Sequence, residues 1–281
     1  MIELPEAYVL AKQINETLIG KTISKATANA SPHAFAAFTG DPALYDEKLR
    51  GKKITTAVQP NAGYNCYGSN VVMDCGEWIL IISTPVKYHT PGAKLPPKHQ
   101  LLLSFEDGSH VSCTVQMWGC MYLISPDEAK KLAESVESKP DPTTDAFDEK
   151  YFDGLWNSVK PNYSVKAFLA TEQRIPGFGN GVLQDILWNA KLHPKKKLEA
   201  VSQNEKEKLF SCVKNILIEM RDKGGRDTER DLFNKKGGYE TVLSAGALNK
   251  PCPVCGSVKV REAYLGGNIY FCPGCQGTIK K

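Results

Sequence analysis

Four of the nine cysteines stand in a pattern that could do chemistry. Cys252 and Cys255 are two residues apart, Cys272 and Cys275 repeat that spacing, and sixteen residues separate the pairs. Each CxxC turn can present two sulfurs to one point, and two such turns make a tetrahedral four-thiolate set of the zinc-ribbon kind. Four thiolates leave no position open for substrate, so the expected ion is a single structural Zn2+. A module of some thirty residues is too small to hold a core without such a staple. A redox dithiol is the alternative that CxxC spacing allows. Cys66, Cys75, Cys113, Cys120 and Cys212 lie scattered among apolar neighbours and read as buried thiols in a reducing compartment.

The second candidate site is a turn. Ser164 to Ile175 reads as a helix, with Val165, Phe168, Leu169 and Glu172 at helical spacing. Pro176-Gly177-Phe178-Gly179-Asn180 breaks it, and a second helix follows to His193-Pro194, with Val182 and Ile186 along one side. Backbone N–H groups at the second helix's start, beside Gly179 and the amide of Asn180, could converge on an anion such as phosphate. Lys166 is a further candidate for that contact, although a lysine on a helix is more often solvated. The competing reading of the glycines is tight packing in a helical hairpin.

The remaining elements position these two groups. Ala7, Leu10, Ala11, Ile14 and Leu18 recur every three or four residues, which predicts an amphipathic helix from Pro5 to the break at Gly20. Short strands fit 22–28 and 53–58. Residues 70–124 follow a β pattern with Asp107-Gly108 as a hairpin turn. Ser125 with Glu128 caps a helix reaching about Val136. The prediction is an α+β multidomain chain: a β-sandwich with an N-terminal helix over 1–137, a linker over 138–148, a helical domain over 149–249, and a finger over 250–281.

Charge divides unevenly. Residues 1–150 carry 14 Lys/Arg against 18 Asp/Glu, a net −4, whereas residues 151–281 carry 21 against 13, a net +8. A basic second half suits a polyanion, although lysines such as those at 195–197 also serve simply as solvated surface. The N-terminus has two early acids and no apolar stretch of signal-peptide type, and no run is long enough to span a membrane.

Taken in order, the motifs resemble the formamidopyrimidine-DNA glycosylase and endonuclease VIII family. Glu3-Leu4-Pro5-Glu6 resembles its N-terminal ELPE, and Lys139-Pro140-Asp141-Pro142 its GPDP. Ile175 to Asn180 resembles its (V/I)xGxGN turn, Gly224-Gly225 with Arg230-Asp231 its GG…RD loop, and Cys252 to Gln276 its finger ending in CxxCQ. The resemblance covers essentially the whole chain. It implies a β-sandwich with an N-terminal helix, a helix–two-turns–helix and a C-terminal zinc finger. It also implies binding of damaged duplex DNA in base excision repair, by a monomer in the cytoplasm of a bacterial-type cell that associates with the nucleoid.

The departures fall on the chemistry. In that family a proline amine, freed by removal of the initiator methionine, attacks the sugar C1′, and the next residue, a glutamate, assists. Here Ile2 holds the proline position and Glu3 is kept, so the amine expected at the terminus is that of Met1, one residue or about 3.5 Å of chain away. The resemblance thus implies catalytic roles for Glu3 and, through its amine, Met1, with proline-type AP-lyase chemistry lost or altered. The family's phosphate lysine falls at Gly63, within Gln59 to Tyr64, and its finger arginine at Gly267. Val115-Gln116-Met117-Trp118 matches its DPRRF wedge loop only loosely, and burial preference assigns Met117 and Trp118 to the core. The expected function is therefore N-glycosidic bond hydrolysis assisted by Glu3. The alternatives are a non-catalytic binder of distorted DNA and a zinc-stabilised protein scaffold.

Overall fold

The computed structural model describes residues 1–58, 69–135 and 139–279. The loop compared at 59–64 and the Cys66 thiol lie outside the described residues. By its contacts the chain forms two compact units: Met1–Ser138 with Glu229–Gly237, and Lys139–Thr228 with Gly238–Lys281.

In the first unit, α1 (Leu4–Leu18) buries Leu4, Ala7, Leu10, Ala11, Ile14 and Leu18, the stripe its spacing predicts. Behind it stand two sheets. One has the order β1 (Ile23–Ala28), β7 (Leu101–Phe105), β8 (His110–Cys113), β6 (Val86–His89), all antiparallel. The other runs β2 (Ala36–Phe38), β9 (Gly119–Ile124), β5 (Ile79–Ile82), β4 (Val71–Asp74), β3 (Thr56–Val58). Inward residues of both sheets, among them Ile23, Leu80, Ile82, Leu101, Leu103, Val111 and Met121, share one core with α1. This is the predicted sandwich. Two elements escape sequence reading because of their length: the three-residue β2, which pairs parallel to β9, and α2 (Tyr45–Leu49). Segment 229–237 belongs to this unit as well: Leu232 is fully buried in the core, and Gln13 on α1 bonds Asp231 and the amide of Leu232. α3 (Pro126–Glu134) closes the unit under the predicted Ser125–Glu128 capping box.

In the second unit, residues 139–148 are packed. The Asp141 carboxylate accepts from Thr143, Phe147 is fully buried, and the Lys214 ammonium caps the carbonyls of Thr144 and Phe147. Phe147 and Phe152 of α4 (Glu149–Asn157) join Phe168 and Phe210 in an aromatic cluster. The hairpin of α5 (Val165–Ala170) and α6 (Asn180–Ala190) packs beside α7 (Gln203–Asp222). The finger consists of β10 (Val260–Tyr264), β11 (Gly267–Phe271) and the short α8 (Pro273–Gln276). Among the described residues no helix is long and apolar enough to cross a membrane.

Helix α5 is shorter than its spacing suggests. It stops at Ala170, and Glu172 and Gln173 take left-handed backbone conformations, with φ of 61° and 47°. Arg174 explains the stop: its buried guanidinium donates to the carbonyls of Ala167, Phe168 and Thr171 at 3.0, 3.3 and 3.2 Å. These acceptors would otherwise need a continuing helix. Likewise α6 ends at Ala190, with Lys191 left-handed at φ 61°, before His193-Pro194 is reached. Replacing Arg174 by alanine strands those carbonyls, so the midpoint of urea unfolding should fall by an amount equivalent to about 2 kcal/mol.

Candidate functional site

The turn between α5 and α6 is built on buried apolar anchors. Ile175 and Phe178 are sunk in the core, and Gln173 braces the loop by accepting from the Gly177 amide at 3.1 Å. Gly177, at φ 68°, makes the reversal that an L side chain resists. The polar end is left outward. Gly179 occupies the N-cap of α6 without a side chain to cap it, and Asn180 is exposed in the first turn.

Lys166 is not the solvated lysine that a helical position suggests. The residue is only 1% exposed, and its ammonium donates to the Tyr264 carbonyl at 2.6 Å. Burial pulls its pKa below the usual lysine value. A side chain built on Gly267 would begin 3.1 Å from the Asn180 amide nitrogen and 3.7 Å from the Lys166 ammonium. Asn180, Lys166 and the start of β11 thus converge on one point, which a side chain at Gly267 would crowd. The lysine run nearby is less free than its charge implies. Lys195 pairs with Glu262 and Lys196 with Glu205, which leaves Lys197 as the solvated member.

The finger turns at Leu265-Gly266, both at positive φ (48° and 70°), and Gly267 opens the second strand, one residue earlier than a turn at the Gly266-Gly267 pair would put it. The sulfurs of Cys252, Cys255, Cys272 and Cys275 all lie within 4.8 Å of one another. Individual separations of 3.3 to 3.7 Å approach the roughly 3.8 Å edge of a tetrahedron with ~2.3 Å metal–sulfur bonds. For Cys252, burial opposes the thiolate, but hydrogen bonds to the sulfur, led by those from the amides of Cys255 and Val254, together outweigh it and bring its pKa to about 6. The set could therefore hold one metal ion. The other described thiols are inert by comparison: burial pushes Cys75 and Cys113 up to about 12, while Cys212 is half-buried.

At the other end of the chain, Ile2 is buried and its amide donates to the Ser83 carbonyl at 3.0 Å. Met1 is partly exposed. Burial lowers the pKa of its ammonium below the ordinary 8.0, while the carboxylates of Glu229 and Glu3 act in the opposite direction. Glu229 had no sequence signal pointing to the terminus, since only the fold brings the 229–237 segment into the first unit. Glu3 takes the N-cap position of α1, yet its side chain makes no capping hydrogen bond. Met117 and Trp118 are not core residues: they are 69% and 57% exposed, and Trp118 stacks at 4.4 Å on Phe35. With Met1, Ser83 and Tyr122, Trp118 borders a cleft of about 540 Å³.

No family model matches the chain. It is 26% identical over 289 residues to the formamidopyrimidine-DNA glycosylase of Lactobacillus gasseri, covering the whole of both chains. It is 27% identical over 284 residues to that of Lactococcus lactis, covering 98% of this chain and 99% of the relative. Among solved structures, its fold matches the Lactococcus lactis enzyme in complex with abasic-site DNA, with a TM-score of 0.79 at 22% identity, covering 98% and 99% of the two chains. A sandwich behind an N-terminal helix, a helix–two-turns–helix and a four-cysteine finger define the glycosylase-like class of fold. The chain is thus similar along its full length to formamidopyrimidine-DNA glycosylases in sequence and shares their fold.

Gly274 lies between the last two cysteines, where a Cβ would come 2.7 Å from the Cys255 sulfur and 2.5 Å from the Ser257 hydroxyl. Gly274→Ala should therefore lower affinity for Zn2+ by at least about 10-fold in a chelator competition. Gly266→Ala, which meets nothing within 4 Å, should cost only about 1–2 kcal/mol of local backbone strain and leave metal uptake intact.

Proposed function

We propose that this protein binds damaged duplex DNA and excises altered bases, with Glu3 assisting loss of the base. In this reading Asn180 and Lys166 hold a backbone phosphate and one Zn2+, bound by Cys252, Cys255, Cys272 and Cys275, folds the finger. The observation that carries it is the convergence of Asn180 and the Lys166 ammonium beside Gly267. An amide donor and a cation meeting at one point beside a helix start suit a phosphate oxygen. The position of Lys166 also gives the missing finger arginine a replacement within the fold. The ammonium stands beside the place where that side chain would begin.

Phosphate contacts weaken binding on all sequences alike when they are removed. Asn180→Ala should lower affinity for lesion-bearing and intact duplexes by a similar factor. Lys166→Met should reduce the slope of log K against log salt by about 0.9. Unchanged slope and affinity in both variants would remove the pair from the DNA site.

Glu3 has a separate test. Base release from a panel of lesion-bearing oligonucleotides should fall by about 100-fold or more in Glu3→Gln, in keeping with loss of a general acid–base group. Release that is absent from the natural protein while DNA binding persists would favour the second reading, a non-catalytic binder of distorted DNA. What favours that reading is Ile2: its buried side chain and bonded amide hold the terminal amine one residue from the family position. The Met1 amine attacks only when deprotonated, and its folded pKa lies below 8.0. Borohydride trapping on abasic DNA, weak in yield, should accordingly rise with pH and reach half its maximum below pH 8.0. Loss of the adduct after acetylation of the amino terminus would identify Met1 as its source.

A further inference from the structure

The thiol cluster is not enclosed by the finger alone. Cys252 and Cys272 share a small apolar cluster with Trp188 of α6 and Leu243, against which Val242, Tyr270 and Cys275 also pack. Trp188 is 8% exposed, and its indole N–H has no hydrogen-bond partner. A buried N–H left in that condition costs about 1–3 kcal/mol, so its retention calls for an acceptor. The side chains packed with it include the sulfurs of Cys252 and Cys272. The Lys191 ammonium, over the indole ring at 4.5 Å, adds positive charge on the same side.

A second buried group points the same way. Lys259 is 6% exposed and donates to the Val242 carbonyl at 2.8 Å, and the charges that face it include the sulfurs of Cys252 and Cys272 together with Asp185. Four thiolates around a divalent ion carry a net charge of −2, which is costly to bury without donors and cations around the sulfurs.

We propose that in the metal-loaded protein the Trp188 indole N–H donates to the Cys252 sulfur while Lys259 supplies the buried countercharge. How tightly the ion is held is then set by helix α6 as well as by the finger. This inference rests on the four-sulfur metal reading given above.

Cobalt(II) loading of the full-length chain tests both levels separately. An N–H donor lowers the energy of the sulfur electrons. Trp188→Phe, which keeps most of the ring volume, should therefore shift the sulfur-to-cobalt charge-transfer band to lower energy. It should also release the metal to a competing chelator about 10-fold more readily. Lys259→Met should weaken retention in the same direction, whereas Trp156→Phe, in the aromatic cluster of α4, should leave band and affinity unchanged. A natural protein without a thiolate–cobalt band would sink the four-sulfur reading itself. A normal band in the natural protein, unmoved in Trp188→Phe with retention within about twofold, would overturn only the present inference. Should Trp188→Phe fail to fold, the natural chain suffices. Loaded with magnetic cadmium and labelled with nitrogen-15 at its four tryptophans, it should show scalar coupling between cadmium and one indole proton. Coupling to none of the four would overturn the proposal.

Discussion

Gln184, buried on α6, fastens the finger to the helical hairpin. Its amide nitrogen donates to the carbonyls of Asn180 and Asn268, at 2.9 and 3.2 Å, and its amide oxygen accepts from the Tyr270 amide at 2.9 Å. Every polar atom of the side chain thus joins the first turn of α6 to strand β11. Gln276 does the same at the far end, accepting from the Cys272 amide and donating to the Leu192 carbonyl, both at 2.8 Å. Buried amides of this kind contribute little net energy when satisfied but are costly when broken, so they fix register more than they add stability. Their register is what sets Gly267 beside Asn180 and lets Lys166 reach Tyr264. The Asn180–Lys166 convergence and the thiol cluster are therefore joined by these bonds within the second unit.

That coupling explains why some of the site was legible in the sequence and some was not. The four cysteines were readable because ligand spacing is local: each CxxC turn closes on itself. The α1 stripe and the β run from 70 to 124 were readable for the same reason, since period and turn residues are short-range signals. Lys166 was misread because its environment is made by Tyr264, ninety-eight residues away along the chain. The end of α5 was misread because the side chain that caps it, Arg174, lies beyond the helix and only its folded position shows what it does. Glu229 and Trp188 had no local signal at all. One is brought into the first unit by the packing of Leu232, the other against the thiols by the docking of the finger.

Met117 and Trp118 reverse the usual preference for a different reason. Gly119 opens β9 where a Cβ would collide with Thr84, at 2.1 Å, so the strand enters the sheet tightly at that point. The two residues before it are turned out. Trp118 recovers some burial by stacking on Phe35, which leaves an apolar surface beside Met1. Large exposed apolar side chains on a sandwich rim are the kind of groups that fill gaps in a base stack.

Packing also fixes where the terminal amine can stand. One way to restore the family's geometry would be to slide the chain so that the Met1 amine moved to the place a proline amine would hold. α1 forbids it. Advancing the helix by one residue rotates every side chain by about 100° and would take Leu4, Ala7, Leu10, Ile14 and Leu18 out of the core. At about 1.5–3 kcal/mol for each large apolar side chain, that displacement exceeds anything a single amine contact could offset. Ile2 adds to the restraint with its own burial and its bond to Ser83. The terminal amine is therefore held where Ile2 and α1 place it, with Glu3 at the head of the helix.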